Sequence, residues 1–148
     1  MKKYIGFKMG EAEPMTDLEF NVYEKGGITE DFGGVESEGY QVVGPNAMKW
    51  VSKEVFEKSY MQIGNNNTVT LENVDAFISA TESYLVGNKS TMVMATLANG
   101  YVIIESSSCV DPANHNEEIG KKICMDRIRE KVWMLLGFLL QTAKDGIK

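Results

Sequence analysis

The side chains best suited to chemistry are one histidine, two cysteines, two arginines and a run of three serines. His115 sits among Asp111, Asn114, Asn116, Glu117 and Glu118, where a metal or an acid–base pair could form. Zinc sites, however, draw on several His or Cys ligands. A lone His between amides and acids is more simply a helix entry whose side chains cap free N–H groups. Cys109 precedes the same helix, and a helix N-terminus can lower a thiol pKa. A nucleophile also needs a base and an orienting third group; His115 would have to serve as the base, and no third group is evident. Cys109 is therefore expected as a small buried side chain at a hairpin end, and Cys124 as a core position. The acids show no Asp-x-Asp or Glu-x-x-His spacing, and the glycines form no phosphate-cradling motif. The expectation is a non-enzymatic protein with no metal and no cofactor.

Charge is distributed unevenly. Residues 11–38 hold nine acids against Lys25 alone, while 121–131 hold Lys121, Lys122, Arg127, Arg129 and Lys131 against Asp126 and Glu130. Two positions apart on a helix, Arg127 and Arg129 point about 200° apart and cannot fork one phosphate from the same chain. Arg127 with Lys131 makes one cationic ridge, and Lys122 with Arg129 another. Surface pairing with Asp126 and Glu130 is one reading of them. Anion binding is the other, and it gains if chains associate and bring two ridges together. The candidate ligand set is Lys122, Arg127, Arg129 and Lys131, with hydroxyls from Ser107 and Ser108. The overall charge of −6 argues against a nucleic-acid surface, which needs excess Lys and Arg to neutralise phosphates. Tyr40, Trp50, Phe56 and Tyr60 are expected as a small aromatic core.

The elements that must position these residues read as follows. Residues 3–9 suggest a strand. Thr16-Asp-Leu-Glu19 is a capping box opening a helix to about Glu24, stopped at Gly26-Gly27. Residues 25–38 read as an exposed loop. Tyr40–Val43 and Met48–Val51 are strand-like around a Gly44-Pro45-Asn46 turn. Ser52 is a plausible N-cap for a helix through Tyr60, with Val55, Phe56 and Tyr60 on one face. Gly64-Asn65-Asn66-Asn67 is the best module boundary. Thr70 can cap a helix carrying Leu71, Val74, Phe77 and Ile78. Asn99-Gly100 then joins Met92–Leu97 to Tyr101–Ile104, and a type I′ hairpin turn is expected there. A final helix of about 25–28 residues starts near Asn116. Its core stripe should be Cys124, Ile128, Val132, Leu135, Leu139 and Ala143. From Val132 onward it is apolar nearly all round, too short for the roughly 20 residues a membrane span takes. A helix of about 40 Å outruns a domain with a radius of gyration near 15 Å. A homo-oligomer through residues 119–143 is the expectation.

Two stretches also resemble known phage sequences. Leu97, Asn99-Gly100-Tyr101, Cys109-Val110-Asp111, Asn114, Glu118-Ile119-Gly120, Lys131, Trp133 and Gly137-Phe138-Leu139-Leu140 resemble a family of small phage proteins. It is named for gene 49 of one podovirus and gene 66 of another, and the likeness covers roughly residues 70–144. Cys124 and Ile128 stand where that family usually has small residues, and Leu136 where an acid is common. Ala12-Glu13-Pro14-Met15-Thr16, Glu38-Gly39-Tyr40 and Trp50–Tyr60 are similar to a phage accessory module. That module is also seen fused to domains resembling the second Thoeris anti-defence family, whose members sequester nucleotide immune signals. Gly44-Pro45-Asn46-Ala47 replaces the turn usual there.

The combined expectation is an α+β chain. A sheet-and-helix module spans 1–62, and a module of helix, β-hairpin and long helix spans 63–148. The resemblance implies a phage accessory protein of the host cytoplasm that sequesters a small anionic host molecule, with a nucleotide immune signal as the candidate. The alternative is a phage protein that binds a host protein through its acidic N-terminal face.

Overall fold

The computed structural model describes residues 1–6, 8–24, 26 and 36–147. The chain divides into two compact units, residues 1–62 together with 143–148, and residues 63–142. Both are α+β, each built on a three-stranded antiparallel sheet.

In the first unit the sheet order is β1 (Glu11–Pro14), β2 (Gly39–Val43), β3 (Met48–Ser52), with α1 (Asp17–Glu24) and α2 (Lys53–Ser59) attached. The strand expected over 3–9 is not found among the described residues of that stretch; the first described strand is β1, paired with β2 from Glu11↔Val43 to Pro14↔Tyr40. The capping box at the head of α1 is present in both directions. The Thr16 N–H donates to Glu19 Oε2 at 2.9 Å, and the Glu19 N–H donates to Thr16 Oγ1 at 3.2 Å. Phe20 and Val42 are buried. Trp50 Nε1–H donates to the Met15 carbonyl at 2.9 Å, fixing the link between β1 and α1 against β3. Tyr40, Phe56 and Tyr60 stack in sequence, with ring centroids 3.9 and 4.8 Å apart. Val55 does not join them; it is exposed, because the sheet-facing side of this two-turn helix follows Phe56 and Tyr60. Most of the acidic 25–38 loop, including Glu30 and Asp31, lies outside the described residues.

The second unit begins with α3 (Leu71–Phe77), capped by Thr70 and Asn73 in a reciprocal box. It continues through β4 (Ile78–Val86), β5 (Ser90–Leu97) and β6 (Val102–Ser108), and after a 3-10 turn at Pro112–Asn114 ends in α4 (Glu117–Asp145). The hairpin expected at Asn99-Gly100 is there, but its turn is different. Gly100 alone has positive φ (83°), and its N–H bonds to the Leu97 carbonyl at 2.8 Å. That is the three-residue loop with a left-handed glycine at its end, in place of type I′. β4, which runs beside β5, was not evident from sequence.

β5 alternates strictly, with Thr91, Val93, Ala95 and Leu97 buried against α4. The buried residues of α4 are Gly120, Cys124, Ile128, Val132 and Leu136. The expected stripe therefore holds through Val132 and then shifts: Leu136 is buried while Leu135 and Leu139 are exposed. A strict four-residue spacing advances about 40° per step around a helix of 3.6 residues per turn. The contact line thus winds around α4 as the helix crosses a twisted sheet. Gly120 sits where the helix and sheet touch closely; a Cβ there would lie 2.5 Å from Thr91 Oγ1.

Candidate functional site

Five of the six cations of α4, those between residues 121 and 131, do not stand free. Arg129 Nε donates to Asp75 Oδ1 of α3 at 2.7 Å, with Asp126 also in reach at 3.6 Å. Arg127 Nη1 donates to the Ser106 carbonyl of β6 at 2.7 Å. Lys131 pairs with Glu105 of β6. Lys122 pairs with Asp126 at 2.8 Å, and Lys121 with Glu117 at 3.7 Å. The hydrogen bond from Lys122 holds the Asp126 carboxyl below its ordinary pKa. The two arginines reach opposite neighbours, α3 and β6, as their angular separation requires. Arg127, Arg129 and Lys131 tie α4 to β6 on one side and α3 on the other, while Lys121 and Lys122 pair within the helix. Ser108 Oγ lies 2.7 Å from Ser90 Oγ across the strand pair, while Ser107 faces the other side of β6 and is half-buried. The six candidate ligand residues thus do not converge: Arg127 and Lys131 lie toward β6, which carries Ser107 and Ser108, whereas Lys122 and Arg129 share Asp126 on the side of α4 that meets α3.

His115 Nε2 lies 3.1 Å from the buried Thr91 hydroxyl. Asp111 caps the 3-10 turn through the Ala113 N–H at 2.9 Å, and Asn116 caps α4 through the Ile119 N–H at 3.1 Å. The polar cluster read from sequence is therefore a helix entry. Cys109 is half-buried at the end of β6, its Sγ directed at the Lys89 and Asp111 carbonyls. Cys124 is fully buried, and burial pushes its thiol pKa up. Among the described residues no cluster of three or more His, Cys, Asp or Glu could hold a metal ion.

A feature the sequence did not reveal lies in the first unit. β1 and α1 form an open groove of about 690 Å³ lined by Glu13, Pro14, Met15, Glu19, Val22, Tyr23 and Gly26. Among the described residues its lining is apolar at Pro14, Met15, Val22 and Tyr23 and charged only at the acids Glu13 and Glu19. Met15 is held at both ends, its N–H on the Gly39 carbonyl at 3.0 Å and its carbonyl on Trp50. A second groove of about 320 Å³ shares Pro14, Met15 and Glu19 and continues to Tyr40 and Lys53. There Lys53 pairs with Glu38 at 2.8 Å, which lowers the Glu38 pKa and raises that of Lys53. The signal available beforehand was the pair Glu13 and Glu19 flanking Pro14-Met15. Only the fold of β1 onto β2 shows that these residues share a surface.

The described residues define a small two-unit α+β protein in which Arg127, Arg129 and Lys131 hold α4 to its neighbours and whose first unit carries a groove with acidic and apolar lining. Among the described residues no helix is long and apolar enough to cross a membrane. The chain belongs to the Phage protein (N4 Gp49/phage Sf6 gene 66) family, whose model matches residues 48–144. That match starts at β3, inside the first unit, well before the stretch from residue 70 that carried the resemblance. No curated protein and no solved structure matches the chain.

Proposed function

We propose that this phage protein acts without catalysis, by binding a host protein through the acidic groove between β1 and α1. The groove itself carries the reading. Its Pro14, Met15, Val22 and Tyr23 offer apolar contact, and Glu13 and Glu19 offer negative charge to a segment bearing Lys or Arg beside an apolar anchor. Such a pairing speeds encounter and selects partners by charge. An open groove of this shape suits a polypeptide better than an enclosed small molecule, for which sites bury most of the ligand surface. The chain's overall charge of −6 adds long-range attraction for a basic partner.

Sequestration of a small anion is the second reading, favoured by the clustering of five cations on α4. An anion there would compete with Asp75, Asp126, Glu105 and the Ser106 carbonyl for donors already engaged. That competition ranks it second.

The test is to recover tagged protein from infected cells, identify what accompanies it, and rebuild the complex from purified components. Titration calorimetry then compares wild type with Glu13→Lys and Glu19→Gln; glutamine preserves the capping box while removing the charge. Affinity should fall about tenfold or more for Glu13→Lys and should weaken with salt. A complex indifferent to both substitutions contradicts the groove reading.

A further inference from the structure

We infer that α4 is a dimerisation helix, pairing antiparallel with α4 of a second copy and crossing it at Gly137. Glycine is the poorest helix former after proline, yet Gly137 stands mid-helix. A Cβ at this position would meet nothing within 4 Å, so no packing inside the chain calls for the missing side chain. Around it the helix leaves large apolar groups in solvent: Trp133 is 44% exposed, Met134 66% and Phe138 73%. Contiguous apolar surface of this kind marks an interaction site, and bare backbone at its centre lets a second helix approach closely.

The charges choose the occupant. Glu130 lies seven residues before Gly137 and Lys144 seven after it, and seven residues is close to two full turns. The three therefore share one stripe. Both side chains are exposed, and neither has a partner within the chain among the described residues. In an antiparallel pair with its twofold axis at Gly137, Glu130 of one copy meets Lys144 of the other, twice by symmetry. Met134 then faces Leu140 of the second copy, and Trp133 faces Gln141. A parallel pair would set Glu130 against Glu130 and Lys144 against Lys144. The stripe is thus self-complementary in one orientation, which is the property a second copy of this chain supplies.

The experiment uses the full-length chain. Sedimentation equilibrium at micromolar concentration should give twice the 16.5 kDa chain mass. Glu130→Lys and Lys144→Glu should each weaken dimerisation by about tenfold, since each turns two attractive pairs into repulsive ones. The double swap should restore it to within about threefold of wild type. Gly137→Cys in a Cys109→Ser background should form an intermolecular disulfide under mild oxidation, while Thr81→Cys on β4 should not. A monomer at about 100 μM, or a dimer unmoved by both charge swaps, overturns the proposal. So does a dimer that cross-links from Thr81 and not from residue 137.

Discussion

Arg127, Arg129 and Lys131 could be read from sequence as a basic ridge, but not where their charges would go. Their acceptors, Ser106, Asp75 and Glu105, lie 21 or more residues away along the chain and meet α4 only after the sheet forms. That is why the helix cations were legible as residues and illegible as clamps. Arg129→Ala should lower stability by at most about 1 kcal/mol, the worth of a partly exposed ion pair, read as a shift in the urea midpoint at unchanged slope. If an anion binds there, calorimetry with cyclic dinucleotides and ADP-ribose derivatives will give heat that Arg127→Ala and Arg129→Ala abolish. The Asp126 carboxyl, held below its usual pKa by Lys122, contributes stability above the ordinary Asp range. That contribution fades as pH falls through the depressed value. Asp126→Asn should therefore narrow its gap to wild type as pH drops from 7 to 3. The two thiols separate by burial. A thiol reagent should label Cys109 in the native protein, whereas fully buried Cys124, kept protonated by desolvation, should react only after unfolding.

At the scale of elements, the pieces with local signals were legible. The reciprocal caps at Thr16 and Thr70 depend on neighbours within four residues, so the sequence suffices to place them, and Asn99-Gly100 gives the hairpin's position but not its turn type. β4 was not legible. As an edge strand it buries little, and Ile78–Val86 lacks the strict alternation that makes β5 plain. The Leu135-to-Leu136 shift on α4 likewise comes from the sheet's twist, which no single helix encodes. Gly120 tests this packing directly. Gly120→Ala places a methyl against Thr91 and should cost about 1–3 kcal/mol; Thr91→Ala in the same chain should recover part of that loss. Gly137→Ala has open space within its own chain and, in the monomer, should stabilise the fold by about 0.5–1 kcal/mol through helix propensity. Opposite signs for the two glycines in thermal melts of the dilute, monomeric chain would confirm that Gly120 is a contact within the fold and Gly137 is not.

For the whole molecule, the α+β class and the long final helix were readable because periodicity and capping are strong over such lengths. The groove was not, since it needs β1 paired to β2 across 25 or more residues and α1 folded beside it. The central claim is that this groove receives a protein partner, and site-specific photocrosslinking tests it most directly. A photoreactive phenylalanine analogue is placed at Tyr23 in one version of the protein and at Thr81, on β4, in another. Both are expressed in infected cells and irradiated. The account predicts one dominant host-protein adduct from position 23, absent from position 81 and reduced about tenfold by Glu13→Lys. Equal adducts from both positions, or none from position 23 while the protein is folded and abundant, would contradict it.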